Sequence, residues 1–424
     1  MTNFKPSGFD WIGDIPFNWA VSRFRHVFRE SKEVNGTRPV GEMLSVSGYK
    51  GVVPKVYESD SLKRDDDQLE TYRVVRKGQL AVNTMWLNYA GLGISEFEGH
   101  MSPAYRAYWV SKKVHGRYMH HLLRSKIYVN AYTSYLTGVR PNSLQMSRDN
   151  LMSFPILLPP IEVQKAIADF LDRKLQDIDQ LVEAQRALRR LCNERRSALI
   201  DRATTIGLDR KVELSATNSQ WLPKIPSHWQ FAPASSLFAS RNEPNQSDDV
   251  HLTPSQTHGV MPQAEYMEIT GNRVVLNLTG ADKMRHVEAG DFISHLRSFQ
   301  GGLEFTGHVG KVSAAYTVLR PKTPLVHDYY RFLFKSQSYI RGLSTTTEQL
   351  RDGQSIRYQQ FKLLKLPCPP IAEQHSIVEF LSEELPKYLH LETKAKELEL
   401  ALLQRREALI NSVVTGKIDI RGKK

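Results

Sequence analysis

The sequence predicts an α+β protein: two mixed α/β domains in tandem, joined and spaced by two long antiparallel helices that pair as a coiled coil about an internal pseudo-two-fold. Three observations predict it. One set of motifs is written twice at a constant displacement. Each copy ends in an apolar seam at helical spacing, and each begins with short apolar runs bounded by turn residues.

The displacement is 210 residues: Trp11, Ile15, Pro16, Trp19 and Phe28 return as Trp221, Ile225, Pro226, Trp229 and Phe238. LLPPIEVQKAIADFL at 157–171 returns as PCPPIAEQHSIVEFL at 367–381, keeping Pro159/Pro369, Pro160/Pro370, Gln164/Gln374, Ile167/Ile377, Phe170/Phe380 and Leu171/Leu381. The same offset carries Arg195-Arg196 onto Arg405-Arg406 and Ala198-Leu199-Ile200 onto Ala408-Leu409-Ile410. Solenoid repeats have periods of about 20–50 residues, so each copy here is a unit large enough to own a core. The segments that follow are 1–155 and 209–366 for the two domains, with spacer helices in 156–208 and 367–424.

The composition, 41% apolar and 24% charged, is that of a globular protein and argues against long disorder. No stretch approaches the roughly 20 apolar residues of a membrane span, and Met-Thr-Asn-Phe-Lys opens no signal peptide. Cys192 and Cys368 are the only cysteines, and no Cys/His spacing is of the zinc type. A reducing, cytoplasmic setting without structural metal or disulfide is expected. With 57 Lys+Arg against 45 Asp+Glu, the net charge of +12 favours an anionic partner without naming it. The excess lies in the first domain: residues 101–150 hold eight bases (Arg106, Lys112, Lys113, Arg117, Arg124, Lys126, Arg140, Arg148) and one acid, Asp149.

In the first spacer, Leu171, Leu175, Ile178, Val182, Leu188, Cys192 and Leu199 fall at helical spacing. The second answers with Leu381, Leu385, Tyr388, Ala395, Leu398, Leu402 and Leu409, and Gln185 and Glu392 interrupt the stripes. Pro-Pro suits a helix start, where a missing amide hydrogen costs nothing, and Gly207 and Gly416 are placed as stops. The first helix is expected from Ile161 to about Thr204. In the second, Pro386 removes a ladder hydrogen bond and predicts a break near 382–386. Two equivalent seams bury most economically against each other, and a two-fold relation makes them antiparallel, with the globular parts at opposite ends. The expected helix and partner interface is Leu171, Leu175, Ile178, Leu188, Leu199, Leu381, Leu385, Tyr388, Leu398 and Leu409.

In the globular parts, 78–87 and 290–299 read as strands, as do 104–110 and 314–320. A helix is expected at 117–128 and its match at 328–339. Repeat register persists with small shifts: Leu44, Gly51 and Pro54 align with Leu252, Gly259 and Pro262, and Ser102 and Tyr105 with Ser313 and Tyr316. Frame kept and loops changed is what a duplicated reader of two different targets looks like; drift of surface loops is the plainer alternative.

The loops combine amides, aromatics and bases, the side chains that read base edges and hold phosphates. From SGYKG (47–51), NTMWLNYAG (83–91) and TGVRPNS (137–143) the candidate DNA-binding residues are Tyr49, Lys50, Asn83, Trp86, Asn88, Tyr89, Arg140, Asn142 and Ser143. Their second-copy counterparts are Ser255, Gln256, His258, His295, Arg297, Ser298, Arg351, Gln354, Ser355 and Arg357.

Three weaker patterns point away from catalysis and metal. Ser102-Pro103-Ala104-Tyr105 lacks the second proline of a base-flipping methyltransferase tetrapeptide, and Tyr105 and Tyr316 read as strand residues. Asp65-Asp66-Asp67 with Glu70 has no counterpart in the second copy and reads as a solvated loop. His120-His121, adjacent on a helix, cannot share a face for a metal.

A Trp-(Ile/Leu)-x-x-Ile-Pro-x-x-Trp opening, a Pro-Pro-Ile-x-x-Gln-x-x-Ile-x-x-Phe-Leu helix start and an Arg-Arg-x-Ala-Leu-Ile segment, all duplicated, resemble the DNA-specificity subunit of Type I restriction–modification systems over essentially the whole chain. The resemblance implies two target recognition domains, each for one half of a bipartite asymmetric DNA site. Its helices would set the spacing and dock two methyltransferase subunits, with motor-nuclease subunits joining the assembly. It also implies no catalysis in this chain. S-adenosylmethionine, ATP and magnesium would belong to the partner subunits. The readings that compete with it are a coiled-coil interaction protein with incidental basic charge and a stand-alone DNA-modifying enzyme.

Overall fold

Leu80, Ala81 and Val82 are buried, as are Leu92 and Tyr108 on the strands beside them, so the run QLAV is an inner strand with no face left for water. The computed structural model describes residues 3–57, 69–137, 145–271, 284–294, 301–346 and 356–420. The chain divides into two units, Met1–Arg186 with Glu397–Lys424, and Ala187–Lys396. Each long helix is shared between them.

In unit 1 the strands are β1 (Ala20–Arg23), β2 (Phe28–Ser31), β3 (Glu42–Ser47), β4 (Gly51–Pro54), β5 (Leu80–Val82), β6 (Leu92–Ile94), β7 (Arg106–Val110) and β8 (Pro155–Leu158). An antiparallel sheet runs β2-β7-β5-β6, with Trp109 opposite Arg29 and Ala107 opposite Ala81. The β3–β4 hairpin pairs Ser47 with Gly51. It is extended by Gly99–Met101, which lies parallel to β3. Two short helices, α1 (Gly116–Arg124) and α2 (Lys126–Thr133), pack on the first sheet, and the long helix α3 is Ile161–Thr205.

Unit 2 repeats the plan with β9 (Gln230–Pro233), β10 (Phe238–Arg241), the hairpin β11 (Leu252–Ser255) and β12 (Gly259–Pro262), then β13 (Phe292–Ile293), β14 (Glu304–Phe305), β15 (Val318–Pro321) and β16 (Lys365–Cys368). Its sheet order, β10-β15-β13-β14, is the order of unit 1. The helices are α4 (His327–Leu333), α5 (Gln337–Ser344) and the long α6 (Ile371–Val414).

The Pro-Pro-Ile-x-x-Gln motif has a physical reason. The carbonyl of Pro160 accepts the amides of Val163 and Gln164, starting α3, and that of Pro370 accepts those of Glu373 and Gln374, starting α6. The glutamine then folds back into the core. Gln164 donates Nε2 to Pro159 O at 2.8 Å and accepts the His115 amide on Oε1 at 2.9 Å. Gln374 repeats this with Pro369 O at 2.9 Å and the Val326 amide at 3.2 Å. His115 and Val326 immediately precede α1 and α4, so the buried amide joins the long helix to the short one.

The Ile-Pro-x-x-Trp motif meets the other end. α6 stops at Gly416 (φ +73°), where a Cβ would come within 2.5 Å of Pro16 and 3.1 Å of Trp19. α3 stops at Gly207 (φ +84°), where a Cβ would lie 3.2 Å from Trp229. The Trp229 indole donates to Glu373 at 2.8 Å. Each unit's opening motif therefore packs on the end of the helix that began in the other copy. In unit 1, Ile410, Val413 and Val414 join the core around Trp19, Phe24 and Leu171; in unit 2, Ala203 joins that around Trp229, Phe238 and Leu381. In each unit the long helix that began in the other copy also caps a short one. Asn411 Oδ1 accepts the Ile127 amide at 3.2 Å, and Asp201 accepts that of Ser338 at 2.7 Å.

Within each unit the long-helix segments run antiparallel. In unit 1, Asp179 pairs with Arg406 at 3.2 Å and Arg186 with Glu399 at 2.8 Å; in unit 2, Arg196 pairs with Glu392 at 3.3 Å. Leu171, Leu175, Ile178 and Leu381 are buried, and Leu199, Leu385, Tyr388 and Leu409 half-buried. Leu188 and Leu398 are 38% and 48% exposed. Val182, Cys192 and Ala395 are buried in the seam as expected, and Gln185, expected to interrupt it, is half-buried there.

Four expectations are corrected. α6 is continuous through Pro386: Ser382, whose carbonyl the proline cannot serve, is an exposed residue, so the missing hydrogen bond is not a buried one. The helices expected at 117–128 and 328–339 are each two helices. Ser125 and Ser336 adopt extended angles (ψ 149° and 145°), and Ser336 caps α5 by accepting the Tyr339 amide. Strand β5 ends at Val82, because Asn83 turns inward, and Tyr105 and Tyr316 lie in turns just before their strands, their amides bonded to Ser102 and Ser313.

Replacing Gln164 by Leu orphans the His115 amide and the Pro159 carbonyl, costing about 1–3 kcal/mol for each buried group. Hydrogen exchange should show the His115 amide losing protection while Val326 keeps its own. Equal protection in variant and wild type would contradict the role given to this glutamine.

Candidate nucleic-acid interface

Loop 83–92 is closed by its own backbone. The Asn83 amide donates to Gly91 O at 2.7 Å, Trp86 to Asn83 O at 3.0 Å and Gly91 to Trp86 O at 2.8 Å. Buried Leu87 anchors its single 3-10 turn, and Ala90 ends that turn in the left-handed region at φ 56°. This leaves Trp86 and Tyr89 outside, 55% and 62% exposed, their rings 5.8 Å apart. Two aromatic faces held in water by a tight loop form a surface suited to flat, polar-edged partners such as bases.

The other candidates occupy varied settings. Lys50, Gln256, His258 and Arg357 are exposed, and Ser255 is half-buried. Asn83 is buried, its Oδ1 accepting the Met85 amide at 3.2 Å, so it braces the loop from inside. Asn88 is half-buried, its Oδ1 enclosed without a partner among the described residues. Tyr49 is 42% exposed but engaged: its hydroxyl donates to Asp179 at 2.7 Å and the Arg406 guanidinium lies 4.9 Å over its ring. Arg140, Asn142, Ser143, His295, Arg297, Ser298, Arg351, Gln354 and Ser355 lie outside the described residues, as do Asp65, Asp66 and Asp67.

Beside these loops in unit 1 is a cleft of about 870 Å³, floored by the long-helix residues Asp172, Leu175, Asp179, Arg406 and Ile410. Unit 2 has one of about 730 Å³ whose floor includes Leu385, Arg196 and Ile200, the repeat equivalents of Leu175, Arg406 and Ile410. In the first cleft, Arg117 grips Asp172 with Nη2–Oδ1 at 2.5 Å and Nε–Oδ2 at 3.2 Å, and His121 Nε2 lies 2.8 Å from the same Oδ1. Burial opposes ionisation of Asp172, but the hydrogen bonds from His121 and Arg117 outweigh it and hold the carboxyl well below the ordinary range. Burial pulls His121 below the ordinary imidazole value despite Asp172. A neutral ring facing an acceptor-only carboxylate must carry its proton on Nε2. His120, also buried, is pushed further down and stays neutral. Among the described residues no cluster of His, Cys, Asp or Glu could hold a metal ion.

The sequence reading missed Arg124. Its Nη1 donates to Ser47 O, Ala90 O and Leu92 O at 3.3, 2.8 and 2.5 Å, and its Nη2 to Gly48 O at 2.8 Å. Burial first, then Arg406 and Arg117, pull it down to about 10, so it stays charged at neutral pH. In unit 2 Lys335 donates to Gly301 O at 3.0 Å and pairs with Glu304. A signal existed: each cation directly precedes the serine, Ser125 or Ser336, that separates the two short helices of its unit.

No protein-family model matches the chain. The putative type I restriction enzyme MjaX specificity subunit of Methanocaldococcus jannaschii is 21% identical over 442 residues, spanning 99% of this chain and 97% of that protein. A chain in a solved structure concerned with complex assembly and conformational transition of the type I R-M system superposes with a TM-score of 0.66 at 14% identity, over 95% of this chain and 99% of that one. The HsdS subunit from Thermoanaerobacter tengcongensis gives 0.51 at 13% identity, over 95% and 98%. The chain thus resembles specificity subunits along its whole length and shares their fold.

Asp172→Asn should lower stability at pH 7 by about 1–2 kcal/mol, a value discounted because the carboxylate is partly exposed. A depressed folded value makes this contribution present above the unfolded value of about 3.9 and lost as pH falls below it. Urea midpoints of wild type and variant should therefore converge below about pH 4, and a gap unchanged from pH 7 to pH 3 would contradict the assignment.

Proposed function

We propose that the chain is the non-catalytic, sequence-specific DNA-binding subunit of a Type I restriction–modification complex, each globular part reading one half of a bipartite asymmetric site. The observation that carries this is one frame built twice with different reading loops. The sheet order, the glutamine at the helix start and the glycine at the helix end recur, while Trp86, Tyr89 and Lys50 have no like-for-like equivalents. The full-length likeness to specificity subunits supports it.

Catalysis falls to partners in this reading: two methyltransferase subunits using S-adenosylmethionine and motor-nuclease subunits using ATP and magnesium, acting in the cytoplasm. No described helix is long and apolar enough to cross a membrane. Exposed leucines offer docking faces. Unit 1 presents Leu181 and Leu398, and unit 2 presents their repeat equivalents Leu391 and Leu188, as two copies of one partner require.

Exchanging residues 1–155 for another recognition domain should alter one half-site only, read by mapping modified bases in DNA from cells carrying the complete system; a change in both halves would overturn the assignment. Lengthening both helices by about four residues adds about 6 Å. At about 3.4 Å per base pair the gap between half-sites should widen by no more than about two base pairs. An unchanged gap would reject the helices as the spacer.

A further inference from the structure

A buried cation whose recorded hydrogen bonds all go to backbone carbonyls of two loops and the strand edge beside them is unusual, because a folded loop closes its own carbonyls or leaves them to water. Arg124 reaches two loops far apart in sequence, taking Ser47 and Gly48 from the β3–β4 turn and Ala90 and Leu92 from the aromatic loop. The loops touch at that point: a Cβ on Gly48 would lie 2.6 Å from Tyr89 O. What the bridge fixes is the placement of Lys50, Trp86 and Tyr89 relative to one another.

The second unit solves the same problem differently. Lys335 stands where Arg124 stands, one residue before the serine that separates the two short helices. Glu304 takes the place of Gly93 on the neighbouring strand, and Lys335 holds that carboxylate together with Gly301 O. The chemistry has changed from guanidinium on carbonyls to ammonium on carboxylate and carbonyl. A cation tied to backbone at the corresponding place, Gly301 beside the strand of Glu304, is kept.

We propose that Arg124 and Lys335 are positioning residues for base reading, each fixing the loops of its own unit so that discrimination at one half-site depends on it. This rests on the DNA-reading function proposed above. Reading a base edge requires donors held to a fraction of an ångström, and one well-placed contact discriminates roughly ten- to hundredfold between right and wrong bases. Releasing the bridge should blur that choice while the charge that binds phosphates remains.

The test selects bound sequences from a random duplex library with the full chain in complex with its partner subunits, comparing wild type, Arg124→Ala, Arg124→Lys and Lys335→Ala, with thermal unfolding of each. Arg124→Ala should lose roughly ten- to hundredfold discrimination in the half-site that exchange of 1–155 alters, and keep the other. Lys335→Ala should do the reverse, and Arg124→Lys should fall between wild type and Ala. Should Arg124→Ala not fold, Arg124→Lys and Lys335→Ala carry the same judgement. Base preferences unchanged in both halves, or blurred equally in both as general destabilisation would do, overturn the proposal. A wild-type complex selecting no bipartite sequence instead overturns the DNA-reading function and this proposal with it.

Discussion

Two buried glutamines hold the arrangement together. A helix of 45 residues carries information about loop position only if it is joined stiffly to the body that bears the loops. Gln164 and Gln374 make that joint by closing the helix start on one side and the amide before a short helix on the other. An amide does this where a carboxylate or an aliphatic side chain fails, because the site needs one donor and one acceptor in a place water does not reach. The short helices in turn carry Arg124 and Lys335 toward the loops, so hydrogen bonds through a packed core link the start of each long helix to loop backbone.

Frame and loops therefore have different physical standing. Frame residues are buried and paired, so a change at Gln374, Gly416 or Trp229 leaves an orphaned group or a collision. Loop-tip residues such as Trp86, Tyr89 and His258 face water, and their replacement costs the fold little.

Much of the frame was legible in the sequence. The 210-residue displacement, the Pro-Pro start and the glycine stops fixed both long helices, because those signals are local and chemically narrow. The seam was read less well at two places: Leu188 and Leu398 were assigned to it on hydrophobicity and are exposed, whereas Gln185, read as an interruption, turns half inward; Ala395 is buried as expected. Pro386 misled because its cost depends on whether the freed carbonyl meets solvent, which sequence alone does not state. Among the described loops, Asn83 works inside its loop and Tyr49 is engaged by Asp179, which spacing alone does not show. Such assignments depend on distant residues. So does Arg124, whose four acceptors no spacing rule connects.

The central claim is that the two units read DNA separately through equivalent loops on one repeated frame. A structure of the chain and its partners on cognate DNA tests this most directly. The account predicts base edges against the 47–51 and 83–92 loops in one half-site and against the 255–260 hairpin and the Gly301 region in the other, with the glutamine joints intact in both. DNA lying along the long helices away from these loops, or both half-sites engaging a single unit, would contradict it.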